Sequence, residues 1–333
     1  MVDPRHLWKA DERIKLARED HKAAQLAYQR QCWEKAPGLE TLDKAIHRTV
    51  VQSMAAALRS GTDPTTAVEA ARRENLAAQK ERLALLERAG IDPATLENTP
   101  LCSLCKDTGS AGGKVCRCVL ELCIQENLAE LKTVLDLTAM DFSNVSMEWY
   151  PTTFDPEFGM SSREAAQTVL EVCRDYARDF PDYPCDNLFL YGGTGLGKTL
   201  FSGCIAKEVA GKGHWTVYVT AAELFAHYEA VKFGRDEGGK SQEQVERYQS
   251  CELLVLDDLG SEMTTPFVQS ALYQLLDKRM NRRARTVISS NLTMDDVRSR
   301  YTSQVCSRLE GAYHALPFFG KDIRLQRREK GLH

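Results

Sequence analysis

The chain has 333 residues, of which 43% are hydrophobic and 27% charged, and its formal net charge is −4. This length and apolar content allow two domains with separate cores, and the charge gives no bulk electrostatic case for binding nucleic acid. No apolar run approaches the ~18 residues of a membrane span, and the first residues lack the pattern of a secretion signal, so we expect a soluble cytoplasmic protein with no membrane partner.

The N-terminal region, residues 1–95, is predicted to contain three helices. Capping Asp residues stand before Pro residues at the expected helix starts, and Gly residues stand at the expected stops. The first helix is dense in charges and has a narrow apolar stripe, which is typical of a hairpin or a short coiled coil. It is either a solvated hairpin without a partner or a docking module for a large protein. The boundary signals are Asp3-Pro4, Pro37-Gly38, Gly61, Asp63-Pro64 and Gly90.

Four cysteines within 17 positions form the next feature. Cys102 and Cys105 have the Cys-x2-Cys spacing of a zinc knuckle, and a Gly-rich loop lets the chain return to Cys116 and Cys118. Side chains two apart on a strand stand too far apart for a tidy tetrahedron, so the second pair needs a local bend, and Cys123 is a possible substitute ligand. We expect structural zinc. The alternatives are free thiols and disulfides, and a reducing compartment disfavours disulfides.

A phosphate-binding loop follows the apolar run Asn187–Tyr191. That run predicts a buried strand and residues 200–209 predict a helix, so the loop lies at the strand-to-helix turn that it requires. Its glycines let backbone N–H groups surround phosphates, its Lys would reach the β and γ phosphates, and its Thr would bind Mg²⁺. The sequence therefore predicts a nucleotide-binding protein. The loop residues are Gly192, Gly193, Thr194, Gly195, Leu196, Gly197, Lys198 and Thr199.

Polar residues end two further predicted strands. Asp257 and Asp258 follow the apolar run Leu253–Leu256. The first acid would hold magnesium opposite the loop Thr, and the second would orient or deprotonate an attacking water, unless the pair only caps a turn. Asn291 follows the strand Thr286–Ser290, where it would touch the γ phosphate or the water, unless it is only a turn residue.

This succession of motifs resembles the AAA+ ATPases, and within them the DnaC/DnaI-type helicase loaders and the similar IstB-type transposition helpers. The resemblance implies a parallel α/β P-loop domain that binds ATP or ADP, with Asp257 and Asp258 as Walker B acids and Asn291 as sensor 1. It also implies that Arg308 is an arginine finger entering the ATP site of a neighbouring subunit, and that Arg324 is sensor 2. The segments that carry the resemblance are Asn187–Thr199, Val217–Ala222, Leu253–Gly260, Thr286–Asn291, Ser307–Leu309 and Gly320–Arg324.

The resemblance extends to the cysteine segment, because DnaI-like loaders often carry Cys-x-x-Cys-Lys-Asp-Thr-Gly ahead of the ATPase and Cys102–Gly109 matches that form. Only 42 residues follow Asn291 in the 333-residue chain, so a four-helix lid would hardly fit and a lidless or nearly lidless domain is expected. The expected regions are a helical helicase-docking region at 1–95, a zinc segment at 96–125, a linker at 126–160 and an AAA+ ATPase domain at 161–333.

The function that the resemblance implies is an oligomerising ATPase that binds a hexameric replicative DNA helicase and helps to place it on single-stranded DNA. Self-association would occur through the ATPase domain. One alternative is a transposition helper that assembles on duplex DNA. Another is a nucleotide-gated adaptor with little hydrolysis, because many AAA+ proteins have Glu where this chain has Asp258.

Contacts to DNA have two local candidates in the sequence. The run Lys278–Arg285 holds five cations in eight positions, although such runs are commonly solvated faces. The other group follows the second predicted strand, and its two i,i+3 aromatic residues fit a protein core better than a DNA surface. This group is Phe225, Tyr228, Lys232 and Phe233.

Overall fold

The computed structural model describes residues 2–48 and 65–331. The chain divides into two compact units. One unit comprises the residues up to Ala10 and those from Arg117 onward, and the other runs from Asp11 to Cys116. Among the described helices, none combines the length and the apolar content that crossing a bilayer would require.

The described residues of the N-terminal region form three helices, as predicted: α1 (Pro4–Lys35), α2 (39–48) and α3 (Thr65–Arg88). The break between α1 and α2 falls at Pro37-Gly38, and Gly90 follows α3 with a φ of +67°. The expected signals Gly61 and Asp63-Pro64 lie outside the described residues. The helices share a small core, which consists of Cys32, Ala36, Leu39, Leu86 and Ile91.

Two short antiparallel hairpins precede the main sheet along the chain. The first pairs β1 (Ser110–Ala111) with β2 (Lys114–Val115) inside the cysteine segment, and the second pairs β3 (Phe154–Asp155) with β4 (Met160–Ser161). The helices of this part of the chain are α4 (Arg117–Lys132), α5 (Ser162–Arg178), α6 (Lys198–Gly211), α7 (Ala221–Lys232), α8 (Lys240–Ser250), α9 (Pro266–Asn281), α10 (Met294–Arg300), α11 (Ser303–Ala312) and α12 (Ile323–Glu329).

Five parallel strands form the main sheet in the order β6-β7-β8-β5-β9. Their near-continuous apolar runs are what a sheet covered on both faces requires. Side chains of α4, α5 and α6 pack on one face, and side chains of α7 to α11 pack on the other. The expected parallel α/β fold with a helical N-terminal region is therefore confirmed. The strands are β5 (Asn187–Gly192), β6 (Thr216–Thr220), β7 (Leu253–Leu259), β8 (Arg285–Ser290) and β9 (Tyr313–Phe318).

Residues 126–160, expected to form a linker, contribute Leu131, Leu135 and Phe142 to the core beneath α5 and α6. Tyr150 is also buried, and its hydroxyl donates to the Leu196 carbonyl at 2.8 Å. This stretch is therefore packed against the sheet and reaches the phosphate-binding loop. The division into four functional regions stays a prediction, as does the absence of a lid.

Candidate nucleotide-binding site

The glycine-rich loop joins the carboxyl end of β5 to the start of α6. Gly192, Gly195 and Gly197 have φ values of +132°, +71° and +97°, a backbone region that other residues rarely adopt. A Cβ at Gly192 would lie 1.8 Å from the carbonyl oxygen of Phe318 on β9. Glycine is therefore required here both by the loop conformation and by the close approach of the neighbouring strand.

Lys198, the first residue of α6, is buried beneath this loop. Its Nζ donates to the carbonyl oxygens of Gly192 at 2.9 Å and Gly193 at 2.6 Å, and to Asn291 Oδ1 at 2.8 Å. Burial lowers the pKa of Lys198 to about 8, and the negative charges of Asp258 and Asp257 partly oppose this effect. The ammonium group is thus held by neutral oxygens that the phosphates of a nucleotide can replace.

Three hydroxyl groups converge on the buried carboxylate of Asp257 at the end of β7. The Tyr218 hydroxyl donates at 2.6 Å, the Thr199 hydroxyl lies 3.2 Å away, and Ser289 donates to the other carboxylate oxygen. The Thr199 hydroxyl and the Asp257 carboxylate are the hard oxygen ligands that Mg²⁺ prefers, so these residues fit the ion. When bound, magnesium would neutralise charge on the phosphate oxygens.

Asp258 and Asn291 form the third part of the site. The Asn291 side-chain amide donates to Asp258 Oδ1, while its carbonyl oxygen accepts from Lys198. Asp258 has a φ of +59°, an uncommon conformation for a residue other than glycine, and its N–H donates to the Ser289 hydroxyl at 3.0 Å. The structure therefore brings the predicted loop Lys, the second acid and the predicted sensor into one hydrogen-bonded chain.

A cavity of about 510 Å³ opens beside these groups. Several of the contacting residues were not identified from the sequence. Tyr218 and Ser289 lie within segments that carry the family resemblance, and their side chains hydrogen-bond to Asp257. Their position in these segments was the signal that could have identified them. Residues 144–146 carried no such signal because they are distant in sequence from the motifs. The lining residues are Asn144, Val145, Ser146, Trp149, Tyr150, Thr194, Gly195, Leu196, Gly197, Lys198, Thr199, Leu200, Thr220, Asp257, Asp258, Ser289, Asn291, Ile323, Arg324 and Arg327.

The two arginines carried over from the resemblance lie in different surroundings. Arg324, on α12, lines the cavity. Arg308, on α11, is outside the cavity lining of the described chain, and its guanidinium lies 4.7 Å above the Tyr273 ring. Arg308 also donates to the Tyr273 hydroxyl at 3.1 Å and to the Asp277 carboxylate. The structure thus brings Arg324, and not Arg308, to the site of its own chain.

The cysteine cluster has the geometry of a zinc site. The sulfur atoms of Cys102, Cys105, Cys116 and Cys118 all lie within 4.8 Å of one another. Cys102 and Cys116 are 3.8 Å apart, which is about the 3.8 Å edge of a tetrahedron with ~2.3 Å zinc–sulfur bonds. All eleven cysteines lie in the described ranges, and none forms a disulfide. The buried Cys123 is not part of the cluster.

In both candidate DNA surfaces, the exposure of some residues differs from what the sequence pattern predicts. Arg279, inside the basic run, is fully buried, and Arg285 donates to the Pro181 carbonyl and pairs with Asp186. The run is therefore not a continuous solvent-facing strip. In the second group Phe225 and Tyr228 belong to the core, as expected, whereas Phe233 is 56% exposed.

A parallel sheet with this loop, this acid pair and this polar residue at adjacent strand ends defines a P-loop nucleotide-binding domain. The family model described as IstB-like ATP binding protein matches residues 165–331, which is half of the chain. The chain belongs to this family, and the resemblance inferred from its motifs is confirmed.

Two relatives are named replicative helicase loaders. DnaI of Bacillus subtilis (strain 168) is 30% identical over 116 residues, 34% of this chain and 36% of that protein. DnaC of Escherichia coli (strain K12) is 23% identical over 147 residues, 44% of this chain and 58% of that protein. The chain thus spans between about a third and somewhat over half of the length of these relatives. A crystal structure of DnaI matches 57% of this chain and 93% of its own, with 19% identity and a TM-score of 0.43.

Proposed function

We propose that the protein is an ATPase that loads a hexameric replicative DNA helicase onto single-stranded DNA. The observation that carries the ATPase part of the proposal is the network joining Lys198, Asn291 and Asp258 beside the three hydroxyls on Asp257. The names of the two relatives support the loading role, and the family match supports the binding of ATP.

In this proposal each part of the site has one task. Lys198 binds the β and γ phosphates, and the N–H groups of the glycine-rich loop surround them. Thr199 and Asp257 hold magnesium, and Tyr218 and Ser289 keep the Asp257 carboxylate oriented through their hydroxyl groups. Asp258 and Asn291 orient the attacking water, because their side chains already hydrogen-bond to each other beside the cavity.

Assembly and partner binding use regions outside the cavity. Arg308 would approach the nucleotide of a neighbouring subunit, since it does not line the cavity of its own chain and its side chain is partly exposed. The helices α1 to α3 would dock the helicase, and the four-cysteine cluster would hold zinc that fixes the segment following them.

Single-stranded DNA would contact the exposed end of α7. The Phe233 ring lies 5.8 Å from the Phe267 ring, and the Arg235 guanidinium lies 5.4 Å from the Phe233 centroid. Exposed aromatic rings beside a cation are the means by which proteins stack on bases without reading their sequence. The net charge of −4 supplies no long-range attraction to DNA, so this contact depends on the local stacking group.

The first test is co-purification of the full-length protein with its cognate replicative helicase, with ATP and without nucleotide. We expect ATP-dependent capture that is lost in Lys198→Ala and kept in Lys207→Ala, a matched control on the same helix. Absence of capture under every nucleotide condition, in a protein that binds ATP, would contradict the loading function.

The second candidate is a transposition helper that assembles on duplex DNA, which the resemblance to IstB-type proteins implies. ATP-dependent filaments on duplex DNA without helicase capture would establish it. A nucleotide-gated adaptor with little hydrolysis is distinguished by turnover. DNA-stimulated ATP hydrolysis that disappears in Asp257→Asn would exclude the adaptor.

A further inference from the structure

The short helix α12 is attached directly to the phosphate-binding loop. The Ile323 N–H donates to the carbonyl oxygen of Gly195 at 2.9 Å. A Cβ placed on Gly195 would lie 2.1 Å from the carboxyl carbon of Asp322. Gly195 therefore leaves room for Asp322, in addition to giving the loop its shape.

Asp322 caps this helix. Its Oδ1 accepts from the N–H of Arg324 at 2.8 Å and from that of Leu325 at 3.4 Å. The helix has seven residues, and no acidic side chain lies in its first turn. Because so short a helix is marginal by itself and leaves its first N–H groups without partners inside the helix, one carboxylate at this end has a large influence on whether it forms.

Two cations on α12 reach the nucleotide cavity. Arg324 and Arg327 are three positions apart, so they share one side of the helix, and both line the cavity. The other end of α12 is held from residues before the sheet. Gln326 donates to the Trp149 carbonyl at 3.1 Å, and the Lys330 ammonium lies 4.7 Å from the centroid of the Trp149 ring.

We propose that Asp322 is a positioning residue for nucleotide binding and that Arg327 is a second nucleotide-contacting arginine beside Arg324. By capping α12 on the phosphate-binding loop, Asp322 aims both guanidinium groups at the anionic part of the ligand. The inference rests on the proposed binding of ATP. It assigns roles to Asp322 and Arg327, which belong neither to the glycine-rich loop nor to the acids at the strand ends.

The test compares three substitutions in the full-length protein by the Kd for a fluorescent ATP analogue. Asp322→Ala removes the cap and is expected to weaken binding about fivefold to tenfold. Asp322→Asn keeps a capping oxygen and is expected to stay within about twofold of the original Kd. Asp92→Ala is the matched control, because Asp92 caps the short helical turn Pro93–Leu96 in the other unit.

Arg327→Ala tests the second assignment and is expected to weaken the ATP analogue more than adenosine, which lacks phosphates. Circular dichroism melting verifies that each variant folds. Failure of the wild-type protein to bind the ATP analogue would overturn the proposed function itself. If the wild-type protein binds the ATP analogue, either of two results would overturn the positioning role alone. The first is an unchanged Kd in Asp322→Ala, and the second is a Kd in Asp322→Asn as weak as that of Asp322→Ala. An unchanged Kd in Arg327→Ala would remove that residue from the site.

Discussion

The sheet unit and the three-helix region differ in which side chains they bury and which they expose. In the sheet unit, charged side chains such as Lys198, Asp257 and Arg279 are buried and surrounded by hydrogen-bond partners. In the three-helix region the core is small, and Leu16 and Leu83 are 60% and 45% exposed. The first arrangement suits a preorganised chemical site, and the second suits a surface that gains stability when a partner covers it.

The largest effect on this comparison is expected from Arg279→Ala. Arg279 donates to the carbonyl oxygens of Tyr248 at 2.7 Å and Cys251 at 3.1 Å, and to the Thr286 hydroxyl at 2.9 Å. Its loss leaves buried acceptors without donors and a cavity, so the free energy of unfolding should fall by about 3 kcal/mol or more. Urea denaturation measures this. Arg282→Ala, an exposed control in the same basic run, should change it by less than about 0.5 kcal/mol.

If Arg279→Ala lowered the free energy of unfolding as little as Arg282→Ala, the sheet unit would not depend on its buried polar network. The contrast with the three-helix region would then fail. The buried state of Arg279 was not predictable from the basic run in which it lies. Its partners come from residues up to 31 positions away along the chain. A pattern of neighbouring charges predicts solvent exposure only where no such distant carbonyl groups converge.

The next largest effect is expected at the nucleotide site. Lys198→Ala should weaken ATP binding at least ~100-fold, because no other ammonium group lines the cavity in the described ranges of the chain. Isothermal titration calorimetry measures the loss, and Lys207→Ala, which lies outside the cavity lining, serves as the control. ATP binding that survives Lys198→Ala would mean that Lys198 does not contact the phosphates.

The central part of this site could be predicted because its signals are contiguous in sequence. The loop, the acids at 257–258 and Asn291 each follow an apolar run, and the carboxyl ends of parallel strands meet at one edge of a sheet. Tyr218, Ser289 and Asp322 were missed as functional residues for the opposite reason. Their roles depend on strand order and on the docking of α12, which sequence spacing does not encode.

A smaller effect is expected from pH. Burial holds the pKa of Lys198 at about 8 in the nucleotide-free protein, and bound phosphates favour the charged form and raise it again. ATP affinity should therefore be nearly constant up to about pH 7, about twofold weaker at pH 8 and about tenfold weaker near pH 9. Fluorescence titration at constant ionic strength measures this, and adenosine binding is the control. A constant ATP affinity between pH 7 and 9 would contradict a titrating Lys198 in the site.

The smallest effect on stability is expected in the three-helix region. Leu83→Ser on α3 removes an apolar side chain that is 45% exposed, so the free energy of unfolding should change by less than about 0.5 kcal/mol. Leu86→Ser, three positions along the same helix, removes a fully buried side chain and should cost about 2 kcal/mol or more. Helicase capture by Leu83→Ser should nevertheless weaken several-fold, because contacts made only in the complex are lost there. Unchanged capture with unchanged stability would exclude this face of α3 as the docking surface.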